Sequence, residues 1–279
     1  MTLRAKWRSG DRFLVRHVDR SILVVEKKAG LLTHATESGR GENLMELLRE
    51  FVASRGPGRL LPVHRLDRVV SGLLVYARNQ RAQDRLIEQF EAHDVERIYT
   101  AAVTGVLEQD SGTYKSLLYT EDPSLVVYSV DRPREGARPA VTHWKVLTRY
   151  PEARATLVEV QLETGLRNQI RVHFAEDDHP LLGERKYQPD PDRRSAQENH
   201  RVFLHAGVLG FRHPDDGRIL RFEAPLPSDL AKWSRALEEG DRRRPTTWRG
   251  PRGTGPRSGE PRRGAPRRGP KRPSGRPRR

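Results

Sequence analysis

The stretch HRLDRVVSGLLVYA, residues 64–77, places a single carboxylate, Asp67, between Arg65 and Arg68 and then becomes apolar. Its second part, GLLVYA, carries no charge and is mostly aliphatic, so it predicts a buried β-strand. Two neighbouring guanidinium groups would favour the charged form of the Asp67 carboxyl group. From the residues alone, Asp67 is either a permanently ionised nucleophile or charge stabiliser, or an ion-pair partner at the start of a strand.

The composition narrows the possible classes of protein. The chain has 279 residues, no cysteine and a net charge of +15. The lack of cysteine excludes disulfides, thiolate catalysis and zinc sites with sulfur ligands. The first residues lack the apolar core of a signal peptide, and no apolar run approaches the roughly 20 residues that span a bilayer. We therefore expect a soluble, cytoplasmic monomer without membrane contact.

The positive charge is concentrated at the end of the sequence. Residues 241–279 hold 15 Lys and Arg and two acids, which gives +13 of the total +15. This segment contains eight prolines and seven glycines, and its hydrophobic residues are Trp248 and Ala265. It cannot bury enough apolar area to offset its ordering entropy, so we predict a disordered tail. Its arginines suit contact with nucleic-acid phosphates, and the alternative is a solubilising extension.

Hydrophobic periodicity gives the secondary structure of the remaining chain. Strands are predicted at 21–26, 72–77, 97–105, 124–130, 140–150, 155–163, 201–211 and 218–225, and helices at 42–52, 80–92, 164–176 after a turn, and 228–239. Asn79 and Ser228 are the expected caps of the second and fourth helices. Strands in runs, without regular βαβ alternation, favour an α+β fold with a mostly antiparallel sheet.

Few standard catalytic or ligand-binding motifs are present. The sequence has no Gly-rich phosphate loop and no HExxH pair, and its ten histidines are scattered, so we expect neither a cofactor nor a metal. A second polar cluster lies at a predicted strand-to-helix junction and consists of Arg167, Asn168, Gln169, Arg171 and His173. This density predicts contact with an anion or substrate, and a solvated helix face is the alternative.

Together these stretches resemble the RluA-type pseudouridine synthases. HRLDRVVSGLLVYAR is similar to the family's catalytic motif H-R-L-D-x-x-T-S-G-L-L, and LETGLRNQIRVHFA to its T-G-R-x-H-Q-I-R-V-H-x-A segment. Further similar stretches are ILVVEKKAGLLTHAT (22–36), ERIYTAAVTG (96–105), HPLLGERKY (179–187) and FLHAGVLGFRHP (203–214). The match covers about residues 20–235, so we expect a catalytic domain over residues 1–240, followed by the tail, 241–279.

The resemblance implies a fold and a reaction. The fold would be α+β, with a central, mostly antiparallel sheet, flanking helices and an RNA-binding cleft. The reaction would convert uridine within RNA to pseudouridine: the N1–C1′ bond breaks, the uracil rotates, and C5 is joined to C1′. No metal, nucleotide or organic cofactor is implied. Ribosomal RNA is the favoured substrate, and transfer RNA is the other possibility.

The resemblance also assigns roles to residues. Asp67 would be the essential carboxylate, Tyr99 would stack on the flipped uracil, and Arg171 would pair with Asp67 and keep it ionised. Arg65 would occupy the place of the vacated base. Extruding a base costs a few kcal/mol, and stacking on an aromatic ring offsets about 1–3 kcal/mol. The expected substrate-binding residues are His64, Arg65, Arg68, Arg167, Asn168, Gln169 and His173.

The sequence departs from the family pattern at four positions, and other functions stay open. Lys28 replaces a proline, Val70 a threonine, Leu166 an arginine and Asn168 a histidine. One alternative is a non-catalytic RNA-binding or ribosome-assembly protein. Another is a hydrolase, although no second carboxylate accompanies Asp67 in the motif. About 20 residues precede the first strand, too few for a separate RNA-binding domain, so the tail is expected to contact RNA phosphates instead.

Overall fold

An eleven-stranded sheet and four helices make up the described part of the chain. The computed structural model describes residues 10–35, 41–53, 59–188 and 201–242. Within these ranges no helix combines the length and the apolar character that a bilayer crossing requires. The predicted basic tail lies outside the described residues from 243 onward and stays a prediction.

The elements follow one another with short connections. The strands are β1 Phe13–Val18, β2 Ile22–Lys27, β3 Leu61–Pro62, β4 Ser71–Ala77, β5 Glu96–Thr104, β6 Ser111–Glu121, β7 Val126–Val130, β8 Arg138–Tyr150, β9 Ala155–Leu162, β10 Leu204–Arg212 and β11 Ile219–Glu223. The helices are α1 Leu44–Ala53, α2 Gln80–Glu91, α3 Gln169–Glu176 and α4 Ser228–Arg242.

The sheet is mostly antiparallel, as the sequence predicts. Its strand order is β1-β2-β4-β10-β5-β9-β8-β6-β7, with β3 paired to β4 and β11 paired to β10. Among the described strands, β4 and β10 form the parallel pair. Strand β10 therefore joins the strands before α2 to the strands after it. The α+β class and the antiparallel character of the sheet are confirmed.

Both faces of the central sheet are covered, which explains the continuous apolar runs of β2 and β4. Leu23 and Val25 of β2 belong to a core that α1 and α3 cover. Ile22 and Val24 point the other way, into a core that α2 covers. Alternate residues of one strand thus enter two cores, and every residue of β2 and β4 is buried.

The helix boundaries largely follow the predictions. The Asn79 side chain accepts a hydrogen bond of 2.9 Å from the Ala82 amide and caps α2, as expected. Helix α4 begins at Ser228 and continues to Arg242, two residues past the predicted domain boundary. Strands β1, β3 and β6 were not predicted. Strand β6 alternates exposed and half-buried residues and includes Lys115, so it lacks the apolar run that marks β4.

A glycine permits the close approach of β4 and β10. Gly72 has a φ of +127°, and a Cβ atom there would lie 2.6 Å from the Ala206 nitrogen and 2.7 Å from its carbonyl carbon. Gly72 pairs directly with Ala206 in the register of the two strands. Because both neighbours are backbone atoms, they cannot move aside without breaking the pairing. Residue 72 must therefore be glycine.

We expect Gly72→Ala to lower the free energy of unfolding by at least about 3 kcal/mol, since it combines left-handed strain with a backbone clash. Gly240→Ala is the control, because nothing lies within 4 Å of a Cβ at that helical position. It should stabilise the protein by up to about 1 kcal/mol. Urea unfolding followed by circular dichroism gives both values, and a wild-type midpoint for Gly72→Ala would disprove the close approach.

Candidate active site

Asp67 lies in the turn between β3 and β4, and the loop after β2 fastens that turn. The Gly30 amide donates a hydrogen bond of 2.7 Å to the Arg68 carbonyl. The Thr33 hydroxyl donates to the Leu66 carbonyl at 2.6 Å and accepts from the Leu66 amide at 3.2 Å. Backbone atoms on both sides of Asp67 are thus held, and its side chain stays 21% exposed.

Lys27 supports the same turn from the end of β2. Its side chain is fully buried, and its Nζ donates to the carbonyls of Leu31 at 2.8 Å, Lys28 at 3.0 Å and Arg68 at 3.4 Å. Burial lowers the pKa of Lys27 to about 7, although the nearby charge of Asp67 acts to raise it. Sequence reasoning gave Lys27 no role, despite its position next to a turn in a strand that is otherwise buried.

Arg171 reaches the Asp67 carboxylate from α3. Its Nη1 lies 3.7 Å from Asp67 Oδ2. Its Nε and Nη2 donate to the two carboxylate oxygens of Glu184 at 2.7 and 2.8 Å, and the Glu184 side chain is fully buried. Burial acts to lower the pKa of Arg171, but the hydrogen bonds and charge of Glu184, together with the charge of Asp67, raise it overall. The bidentate pair fixes the guanidinium plane so that Nη1 faces Asp67.

The cation beside Asp67 is Arg171 rather than its two neighbours in sequence. In the part of the chain that the structure describes, Asp67 forms an ion pair with Arg171 and none with Arg65 or Arg68. Arg68 is exposed and its Nε donates to the Gly30 carbonyl at 3.0 Å. The expectation that the flanking arginines hold the charge is therefore wrong, because adjacent side chains of this turn point in different directions.

Sequence reasoning missed Glu184. The residue lies in HPLLGERKY, a stretch that was matched to the family without a role for its acid. A carboxylate that directly follows the apolar run PLLG is a signal, because a buried acid requires a cationic partner. The sequence does not show which of the many arginines supplies that partner.

Tyr99 lies on β5, close to the turn. It pairs in register with Ala206 of β10 and Val160 of β9, and it is 8% exposed. Burial raises the pKa of Tyr99 to about 12; the charge of Arg97 acts in the opposite direction. The hydroxyl is therefore protonated at neutral pH, and can donate a hydrogen bond but cannot serve as a base.

A small cavity of about 80 Å³, the Asp67 pocket, collects most of the predicted site residues. Its lining includes Arg65, Asp67, Tyr99, Arg167, Asn168, Gln169 and Arg171. Val70 and Leu166, two of the departures from the family pattern, also line it. Both give apolar walls where the family has a hydroxyl and a guanidinium group. Arg167 lines the pocket next to Leu166, so a cation remains in this part of the wall.

Two of the lining residues also shape the turn before α3. Asn168 has a φ of +54°, a left-handed conformation that asparagine tolerates, and its Oδ1 accepts from Arg171 Nη1 at 2.7 Å. The Gln169 amide donates to Val141 and Thr142 at 3.0 and 2.9 Å, and its Oε1 accepts from Leu166 and Thr164 at 3.0 and 2.9 Å. The roles of Asn168 and Gln169 in substrate binding stay predictions.

Three of the predicted residues do not line the Asp67 pocket. Arg68 is one of them. His64 stacks on Phe90 at 4.6 Å, and its Nε2 accepts a hydrogen bond of 3.1 Å from the Val75 amide. His173 is buried and hydrogen-bonded to Thr142 and Ser116 at 2.9 and 3.0 Å, and burial lowers its pKa to about 4. The structure thus places His173 on the far side of α3 from the pocket.

The arrangement suits reactions that need one permanently ionised carboxylate. Among the residues that line the Asp67 pocket, Asp67 is the one carboxylate. Arg171 is held by Glu184 and is in place before any ligand arrives, so no reorganisation energy is spent on it. A glycoside hydrolase of the usual kind needs a second carboxyl group as general acid, and this pocket wall offers none.

We expect Glu184→Gln to lower the free energy of unfolding by about 3–5 kcal/mol, because it leaves the buried Arg171 guanidinium without its counter-charge. The double variant Glu184→Gln, Arg171→Met should be more stable than Glu184→Gln alone, since the unpaired charge is gone. Urea unfolding of the three proteins and the wild type completes the cycle. Additive losses would show that the ion pair has no energetic coupling.

We expect the contribution of Lys27 to stability to depend on pH. Its pKa is about 7 in the folded protein and 10.5 ordinarily, so between these values the unfolded chain binds more protons. The wild type should therefore gain stability relative to Lys27→Met as pH rises from 7 to 10, by up to about 1.4 kcal/mol per pH unit. Lys232→Met, at an exposed position of α4, should change stability equally at all these pH values. Parallel curves for Lys27→Met would contradict the assignment.

Comparison with known proteins identifies the family. A family model described as RNA pseudouridylate synthase matches residues 21–176, more than half of the chain. The Bacillus subtilis protein named uncharacterized RNA pseudouridine synthase YlyB is 39% identical over 222 residues, which cover 78% of this chain and 70% of that protein. The Neisseria meningitidis protein named ribosomal large subunit pseudouridine synthase D is 37% identical over 220 residues, covering 76% and 58%.

A solved structure shares the fold. The human RNA pseudouridylate synthase domain containing 4 has a TM-score of 0.66 and 23% sequence identity, with 80% of this chain and 92% of that chain covered. This chain spans 58 to 70% of the length of the two bacterial relatives. The expectation of an RNA pseudouridine synthase, an isomerase acting on RNA, is confirmed at the level of the family. The chain belongs to the RNA pseudouridylate synthase family.

Proposed function

We propose that this chain converts uridine in ribosomal RNA to pseudouridine, with Asp67 as the essential carboxylate. The observation that carries the proposal is the meeting of three side chains at one small pocket. Asp67 lies 3.7 Å from the fixed guanidinium of Arg171, and Tyr99 forms part of the same wall. The N1–C1′ bond of the uridine breaks, C5 bonds to C1′, C5 loses its proton and N1 gains one, so the RNA mass is unchanged.

The charge on Asp67 is the property on which the reaction depends. Attack on C1′ and removal of a proton both require the ionised carboxylate. RNA carries a dense negative charge, and its approach would favour protonation of a nearby acid. Arg171 opposes this effect, because Glu184 holds its guanidinium group in position. The proposal thus gives Arg171 an electrostatic role and gives Glu184 the role of positioning it.

Tyr99 has the shape and the protonation state for stacking on a flipped base. Its ring lines the Asp67 pocket, and its hydroxyl keeps its proton at neutral pH. Stacking on an aromatic side chain contributes about 1–3 kcal/mol per base, which offsets most of the cost of extrusion. Arg65 is exposed at the rim of the same pocket, where it can fill the space that the base leaves.

The names of relatives support ribosomal RNA as the substrate. Proteins of Neisseria meningitidis and Nitrosomonas europaea, 37% and 35% identical to this chain, are named ribosomal large subunit pseudouridine synthase D. We infer that this chain acts on ribosomal RNA in the cytoplasm, and transfer RNA is the alternative. The basic tail, with a charge of +13, would add phosphate contacts that carry no sequence preference.

We expect Asp67→Asn to abolish pseudouridine formation while RNA affinity stays within a few-fold, because one charge is lost and few RNA contacts change. Tyr99→Phe should keep affinity and lower the rate, and Tyr99→Leu should lower the rate further. Asp84→Asn, on the exposed side of α2, is the control for a lost carboxylate. Carbodiimide-induced reverse-transcription stops in ribosomal RNA, from a deletion strain carrying each variant, measure the outcome.

Two results would reject the assignment. One is substantial conversion by Asp67→Asn after mass spectrometry has excluded deamidation. The other is release of free uracil by the wild type, which would indicate hydrolysis in place of isomerisation. An RNA that binds the wild type but is never modified would favour the non-catalytic alternative.

A further inference from the structure

A second and larger cavity adjoins the Asp67 pocket. It has a volume of about 590 Å³, within the range of ligand-binding cavities, whereas the Asp67 pocket has about 80 Å³. We call it the side chamber. The two cavities share the wall formed by Arg65, Tyr99, Leu162, Gly165 and Leu166. Asp67 does not line the side chamber, so a ribose that reacts at Asp67 cannot lie within it.

The side chamber contains a buried cation that the reaction does not use. Arg97 precedes Tyr99 by two residues on β5, so both side chains point to the same side of the strand. Arg97 is 7% exposed, and its Nη2 donates to the Glu163 carbonyl at 2.6 Å. Its Nε has no hydrogen-bond partner, and within the described ranges the guanidinium group forms no ion pair. A buried guanidinium without a carboxylate is costly, which suggests that a ligand completes its environment.

The position of Arg97 is built into the surrounding backbone. A Cβ atom on Gly165 would lie 2.5 Å from Arg97 Nη1, so the glycine leaves room for the guanidinium group. On its other side, Arg97 lies over the ring of Phe90, 5.4 Å from the centroid. The cation is therefore held between the turn after β9 and the last turn of α2.

The other walls are aromatic and apolar, with cations at the rim. Phe90 stacks on His64, and burial lowers the pKa of His64 to about 3, so this ring is neutral. Ile87 and Pro139 add apolar surface. Arg138 is exposed at the rim, as is Arg65 of the shared wall. Flat apolar walls together with several cations and little negative charge match a nucleotide, which joins a flat base to an anionic phosphate.

We propose that the side chamber binds the nucleotide next to the target uridine in the RNA chain, with its base against the Phe90 and Arg97 side. The proposal rests on the proposed function, which places the target uridine in the Asp67 pocket. Because Tyr99 belongs to both walls, a base in each cavity would lie on either side of that residue. The enzyme would then prefer uridines whose neighbour can leave the stack and enter the chamber.

The experiment uses the full chain and three fluorescein-labelled RNA nonamers in a binding titration by fluorescence anisotropy at 0.15 M salt. The first nonamer has adenosine at every position except a central uridine. The second and third lack the base immediately 5′ or immediately 3′ of that uridine. Loss of the base on one flank should weaken binding about tenfold, and loss on the other flank less than threefold. Equal affinities for the three RNAs would overturn the proposal.

Two variants of α2 connect the effect to the chamber. Ile87→Trp should fill the chamber, bind the complete nonamer about tenfold more weakly than the wild type, and no longer distinguish the RNAs. Arg81→Trp introduces the same side chain at an exposed position of α2 outside the chamber and should behave like the wild type. Retention of the flank preference by Ile87→Trp, folded by circular dichroism, would overturn the proposal. The wild-type series tests it even without this variant.

The binding result and the proposed function can fail separately. Pseudouridine in ribosomal RNA, mapped by carbodiimide stops, reports on the reaction, and anisotropy reports on the chamber. A flank effect without pseudouridine would support the chamber and reject the proposed function. Pseudouridine without a flank effect would support the function and reject the chamber.

Discussion

The close contact between Gly72 and Ala206 is the constraint on which the site depends. It lets β4 lie beside β10 in parallel, and β10 pairs on its other edge with β5. Gly72, Ala206 and Tyr99 therefore form one row across three strands. Asp67 lies in the turn that enters β4, so the carboxylate and the tyrosine reach the same pocket. A side chain at residue 72 would separate β4 from β10 and, with it, Asp67 from Tyr99.

Around this row the protein buries charge in compensated groups. Lys27 and Arg171 are buried cations near one carboxylate, and Glu184 supplies the second negative charge. Desolvating such groups costs several kcal/mol each, so their retention is poorly explained by stability alone. It is explained by preorganisation, because the cations stabilise an ionised Asp67 without waiting for water or RNA to rearrange. Lys27, whose partners are backbone carbonyls, pays for this with a pKa near 7.

The sequence predicts those features that depend on local pattern. Apolar runs predict β2 and β4, and the motif order predicts that Asp67, Tyr99 and Arg171 meet. It fails where the answer depends on direction. Residues two apart on a helix do not share a face, so Gln169 and His173 cannot both accompany Arg171 into one pocket. His173 instead bonds to Thr142 and Ser116. The Glu184 partnership and the register of β6 are long-range choices that no local pattern contains.

The alternation of β5 extends from the reaction to its surroundings. Arg97 and Tyr99 lie two residues apart on one strand, so a single backbone segment orients the ring beside Asp67 and the cation of the side chamber. The turn after β9 closes both cavities, since Gly165 and Leu166 belong to both walls. A change in that turn would therefore affect the chemistry and the fit of a neighbouring nucleotide together. Leu166 stands where relatives of this type have arginine, so this chain has replaced a charged group with an apolar one at the wall that the two cavities share.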